Sequence, residues 1–60
     1  MTEMMKKLCK IVGANPEMMQ YERMTVDEIL DCIHCAPDDD GDIIDLDTGE
    51  NTYIGYEELL

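Results

Sequence analysis

From Asp27 to Leu60 the chain contains no lysine or arginine, yet this stretch carries twelve carboxylates: Asp27, Glu28, Asp31, Asp38, Asp39, Asp40, Asp42, Asp45, Asp47, Glu50, Glu57 and Glu58. The four permanent cations, Lys6, Lys7, Lys10 and Arg23, all precede it. More than half of the molecule therefore generates a field of one sign, and such self-repulsion works against a compact state. With 60 residues there is little stability to set against it, because a domain of this size buries only ~60% of the surface its unfolded chain exposes. Whatever fold forms must be a single small domain spanning residues 1-60, with room for neither a second subdomain nor a large multi-substrate cleft.

Apolar residues make up 45% of the chain, which is ordinary for a globular protein and argues against disorder despite a net charge of −11. Their kind is unusual: six methionines, three tyrosines, no tryptophan and no phenylalanine. Met1, Met4, Met5, Leu8, Ile11 and Val12 recur at spacings of three and four, which predicts a helix over 2–12. Gly13 stands where a C-terminal cap belongs, and Lys10 suits the negative end of the helix dipole. Asn15-Pro16 then reads as a cap and first residue of a short helix reaching about 23. Two devices fix the start of the next helix: Thr25 and Glu28 form a capping box, and Met24 and Ile29 are spaced as a hydrophobic staple. Val26, Ile29, Leu30 and Ile33 continue it as one stripe, and Pro37 is expected to end it, giving 26–35.

After a polar loop at Asp38-Asp39-Asp40-Gly41, residues 42–47 and 52–56 read as strands joined by Asp47-Thr48-Gly49-Glu50. A three-residue loop with Gly49 left-handed would pair Ile44 with Thr52 and Leu46 with Glu50. Ile44, Leu46, Ile54 and Tyr56 would then share the apolar face. A lone hairpin is marginal in water and must pack on the helices. The expected fold class is α+β, two or three short N-terminal helices on a C-terminal β-hairpin. Its expected core is Leu8, Val12, Val26, Ile29, Leu30, Ile33, Ile44, Leu46 and Ile54.

Chemistry-bearing motifs are sparse. There is no G-x-S-x-G, no H-E-x-x-H and no phosphate-binding glycine loop, so the expectation is a non-enzyme with no cofactor. Residues 47–58 resemble part of an EF-hand calcium loop, with Ile54 central and Glu58 last, but Gly49 stands at the third ligand position and Thr52 replaces the turn glycine. Cys32-Ile33-His34-Cys35 with Cys9 offers four potential zinc ligands. On a continuous helix, however, Cys32 and Cys35 point apart, and a redox pair would belong at a helix N-terminus rather than its C-terminal end. No metal site is therefore expected. The odd cysteine count and the absence of an apolar segment after the N-terminal lysines lead to the expectation of a cytoplasmic protein with three free thiols. No apolar run approaches the ~20 residues of a membrane span.

Function is expected to follow from charge. Asp38, Asp40 and Asp42 alternate, as do Asp45 and Asp47, and alternate residues on a strand lie ~6.6 Å apart on one side. Such a row would present anions as duplex DNA does, at one charge per ~1.7 Å of axis. In size and charge the chain resembles the small acidic inhibitors of phages and mobile elements, DNA mimics and anti-CRISPR proteins among them, as a class rather than by a shared motif. The expected partner is a basic nucleic-acid-binding protein, not nucleic acid itself and not a membrane. Asp38, Asp39, Asp40, Asp42, Asp45, Asp47 and Glu50 would supply the electrostatics and Tyr53 an aromatic anchor. The alternatives are a solvated face serving only solubility, an adaptor or homo-oligomer pairing through Met4, Met5, Met18 and Met19 and, as a minor alternative, a metal-binding domain.

Overall fold

The computed structural model describes residues 1–60. In chain order it comprises α1 (Glu3–Ile11), a 3₁₀ turn (Met19–Arg23), α2 (Val26–Cys32), β1 (Cys35–Pro37), β2 (Asp42–Asp45), β3 (Asn51–Gly55) and α3 (Tyr56–Leu59). The strands form one antiparallel sheet in the order β1-β2-β3. The architecture is α+β, with the helical N-terminal half and the C-terminal hairpin expected from the sequence, and with two further elements, β1 and α3.

Local chemistry sets the ends of the two longer helices. Thr2 Oγ1 accepts from Met5 N at 3.2 Å and opens α1. At its other end Gly13 takes φ +81°. Ala14 N then donates to the Cys9 carbonyl at 2.7 Å and Gly13 N to that of Lys10 at 3.3 Å, the paired bonds of a Schellman cap. In α2 both halves of the capping box are present: Glu28 N donates to Thr25 Oγ1 at 3.2 Å and Thr25 N to Glu28 Oε1 at 3.0 Å. Asn15 Oδ1 accepts from Glu17 N at 3.0 Å, but the expected second helix is only a 3₁₀ turn beginning at Met19.

α2 ends at Cys32, short of the expected Cys35. His34 swings to φ +57°, and its carbonyl accepts from Leu46 N at 2.9 Å. Cys35, Ala36 and Pro37 thereby become an edge strand paired with Asp45, Ile44 and Ile43. Pro37 does not simply stop a helix. It occupies an edge strand, where its missing N–H is tolerated. The two thiols part accordingly: Cys35 is buried and Cys32 exposed.

The hairpin register differs from the expected one. Ile44 pairs with Asn51, not Thr52, and Asp45 N donates to the Glu50 carbonyl at 2.9 Å, so the loop is Leu46–Gly49. A one-residue slip exchanges the faces of a strand. Ile43 therefore enters the core, whereas Ile44 is half-buried and Leu46 is 61% exposed. Toward its C-terminal end β3 bulges: Asp42 pairs with Gly55, so Ile43 alone faces Thr52, Tyr53 and Ile54. The two extra residues preserve alternation, and Ile54 stays buried with Ile43. Beyond Gly55 the chain turns into α3 rather than extending to Tyr56 as strand, and Glu58 Oε2 accepts from Gly55 N at 2.8 Å.

The core comprises Met5, Leu8, Cys9, Tyr21, Ile29, Leu30, Ile33, Cys35, Ile43, Ile54 and Leu59, with Met4, Val12, Met24, Val26 and Tyr56 packed around it. No charged side chain is buried. Burial, reinforced by Asp45 and other nearby groups, pushes the Cys35 thiol up to about 11. Burial likewise raises Cys9.

Ile43→Ala should cost ~2–5 kcal/mol in denaturant unfolding, clearly more than Ile44→Ala, whereas the register expected from pattern would reverse that order. An alkylating reagent on the native protein should modify Cys32 first and Cys9 and Cys35 only on unfolding. Because the folded Cys35 holds its proton beyond the pH at which an unfolded thiol releases it, stability is fully present below about 9 and declines as pH rises from 9 toward 11. Cys35→Ser should flatten that decline in unfolding curves measured across the range.

Candidate functional site

The acidic residues singled out in the sequence do not form one row. The structure divides them between the two ends of β2, and several carboxylates are turned onto the backbone.

At one end, the turn Asp38–Gly41 joins β1 to β2. Asp38 Oδ1 accepts from Asp40 N at 3.0 Å and from Asp42 N at 2.9 Å. Asp38 N donates to the Asp42 carbonyl at 2.8 Å, and Gly41 N to that of Asp38 at 3.0 Å. Gly41 closes the turn at φ +87°, a conformation costly for residues with a Cβ. Asp38, Asp40 and Asp42 thus lie around a turn, not along an extended segment, because one carboxylate satisfies two backbone donors there. Asp39 and Asp40 remain exposed. Asp42 Oδ2 accepts from Asn51 Nδ2 at 3.3 Å.

At the other end, Asp45 Oδ1 accepts from Asp47 N at 3.0 Å. Asp47 Oδ1 lies 3.2 Å from His34 Nδ1, tying the β2–β3 loop to the end of α2. Glu50 is exposed on that loop. Asp42 and Asp45 are three residues apart on β2, ~10 Å along the strand, so Asp45, Asp47 and Glu50 form a separate patch.

Tyr53 belongs with the first group. It stands on the bulge at φ +61°, 84% exposed, with Asn51 Oδ1 accepting from its N–H at 2.7 Å. Together with Pro37, Asp40, Gly41, Asp42 and the Gly55–Glu58 segment it lines an open groove of about 530 Å³. Tyr56 N donates to the Gly41 carbonyl at 2.7 Å, joining the two walls. The Tyr56 hydroxyl donates to Asp27 Oδ1 at 2.6 Å, and this bond raises the phenol above its ordinary range. Its ring is thus held between α2 and the groove. Tyr56, Glu57 and Glu58 are not among the residues the sequence marks for partner binding: Tyr56 was expected on the hairpin's apolar face and Glu58 entered only in the EF-hand comparison. Their available signal was Gly55 followed three residues later by Glu58, an N-terminal helix signature.

No three histidine, cysteine or acidic side chains converge in a way that could hold a metal ion. The C-x-x-C is divided by the end of α2, with one thiol in water and the other in the core. In the EF-hand reading, Asp47 and Glu58 fall beyond opposite ends of β3, where each has its own partner. No helix is long and apolar enough to cross a membrane.

No protein-family model matches the chain, and no curated protein or solved structure matches it significantly.

The charge of Asp38 and its hydrogen bonds to the turn are separable by substitution. Asp38→Asn retains an Oδ1 acceptor and should remain near wild-type stability. Asp38→Ala removes two acceptor contacts worth ~0.5–1.5 kcal/mol each, and should lower the urea midpoint accordingly. Equal losses for the two variants would mean that charge, not backbone capping, is what Asp38 contributes.

Proposed function

We propose that this protein binds and blocks a basic, nucleic-acid-binding surface on another protein. The observation that carries the reading is the segregation of charge on a folded frame. None of the twelve carboxylates from Asp27 onward pairs with a lysine or arginine of the chain, and none is buried. The cations lie on or next to α1 and in the 3₁₀ turn, and the ion pair that one of them makes, Lys6 to Glu3 at 3.8 Å, is within α1.

Anions held on turns, strands and a short helix lose less freedom on binding than those of a flexible acidic tail, so more of their attraction survives as affinity. A basic surface that binds nucleic acid sheds counterions when it is neutralised, and an acidic protein face can exploit the same release. The chain's own charge disfavours direct contact with nucleic acid or an anionic membrane. Two acidic clusters separated along β2 would contact a partner at two points, one beside Tyr53 and one beside His34.

A second reading has its own observation. Met19 is 81% exposed, Met18 42% and Ile11 50%, more apolar surface than the N-terminal half needs to cover the core. Met5 is buried and Met4 partly so, which leaves Met18 and Met19, with Met1 and Ile11, as the exposed apolar side chains of the N-terminal half. Self-association in sedimentation runs without a basic protein present would favour this reading.

The primary test is affinity capture from a lysate at two salt concentrations. A basic nucleic-acid-binding protein retained at low salt and displaced by DNA or RNA is the expected result. Replacing Asp39, Asp40 and Asp42 with Asn should then slow association by on the order of tenfold and flatten its salt dependence. Capture indifferent both to salt and to competing nucleic acid would overturn the proposal.

A further inference from the structure

We propose that the groove between the Asp38–Gly41 turn and the β3–α3 junction is a binding site for an arginine side chain carried on an extended basic segment of a partner protein. The inference rests on the reading above and adds a specific anchor to what would otherwise be diffuse attraction. Its ground is the juxtaposition of two tyrosine rings with Asp40, Asp42, Glu57 and Glu58 around one cavity of about 530 Å³. That volume falls within the ~300–1,000 Å³ typical of sites that hold a discrete ligand, enough for one long side chain and the backbone beside it.

The chemistry of the lining selects the occupant. It contains no lysine, arginine or histidine, so the chain supplies no cation to its own groove. The rings of Tyr53 and Tyr56 offer π-faces, on which a guanidinium stacks as well as being attracted electrostatically. Glu58 and Asp42 each already spend one oxygen on Gly55 N and Asn51 Nδ2, but the carboxylates of Asp40 and Glu57 are exposed and can accept its N–H groups in pairs, a geometry that an ammonium does not match. A bare metal ion is a poor occupant, because no three of these carboxylates converge. An apolar or anionic side chain would find two aromatic rings among four acids. The two rings also differ in freedom. Tyr56 is anchored through its hydroxyl to Asp27 and packs on the core, so it makes a fixed wall. Tyr53 stands almost wholly in solvent and can settle over a bound side chain.

The test uses the full chain, labelled with ¹⁵N, titrated at low salt with two short peptides of equal charge, one alternating arginine with glycine and the other lysine with glycine. The expected result is tighter binding of the arginine peptide, with shifts concentrated at Gly41, Tyr53, Gly55 and Glu57. Tyr53→Ala should weaken it by ~2- to 30-fold, while Tyr53→Phe, which keeps the ring, should not. Asp47→Asn and Glu50→Gln, at the far end of β2, should change arginine-peptide affinity far less than Asp40→Asn. The spectrum of each variant reports directly whether it is folded. Equal affinity for the two peptides, with shifts spread over both acidic clusters and no effect of Tyr53→Ala, would overturn the arginine site and leave the basic-surface reading standing. Absence of binding by either peptide would also overturn the site, with the broader reading then decided by the capture experiment.

Discussion

Ile43 lies fully buried on the central strand, and the placement of that one side chain organises the sheet around it. Its carbonyl accepts from Thr52 Oγ1 at 2.7 Å, a side-chain bond made where the bulge interrupts the ladder. To keep Ile43 inward, β2 must pair with β3 in the register that sets Ile44 against Asn51. The two extra residues of β3 keep the alternation, so Ile54 faces inward beside Ile43, and they set Gly55 rather than Tyr53 opposite Asp42. Tyr53 is the residue displaced outward, and its positive φ accompanies that displacement. Burial of an isoleucine is worth ~1.5–3 kcal/mol, comparable to the ~1–3 kcal/mol that a residue held in a disfavoured backbone region costs. The aromatic wall of the groove is thus a by-product of filling the core.

A chain with so many carboxylates and so few cations must satisfy its negative groups without ion pairs. Four of them are met by backbone N–H groups. Asp38, Asp45, Glu28 and Glu58 each accept from a main-chain donor at a turn or helix start. This stabilises local structure where repulsion would otherwise loosen it, and it removes those oxygens from what a partner can reach. Asp39, Asp40 and Glu50 keep full exposure, and Asp47 shares its position with His34. The surface available for recognition is consequently smaller and more articulated than the carboxylate count suggests.

The same economy governs the thiols. Cys9 and Cys35 pack as small apolar groups, with Cys35 Sγ donating weakly to the Ile33 carbonyl at 3.6 Å. Burial raises both, which disfavours the thiolate needed for metal binding or exchange chemistry. A sequence motif that suggests a metal or redox site becomes core packing once the end of α2 is placed three residues earlier.

Much of the fold was legible from local signals. The two helix starts, the Gly13 cap, the turn around Gly41, the left-handed Gly49 and the α+β class follow from chemistry confined to four or five neighbouring residues. The segregation of charge is likewise a property of the chain itself. What the tertiary structure decided depends on contacts distant in sequence. Ile43 and Ile44 are adjacent and identical, so alternation alone could not say which one faces the helices; packing within the core cluster chose Ile43. Pro37 marks a helix boundary in isolation, yet the availability of β2 as a partner made its segment an edge strand. The Tyr53–Tyr56 groove could not be read because its walls meet through the pairing of Asp42 with Gly55 and the Gly41–Tyr56 hydrogen bond, the latter across fifteen residues of chain. Local rules set where elements begin; which face each one buries was settled only when the elements met.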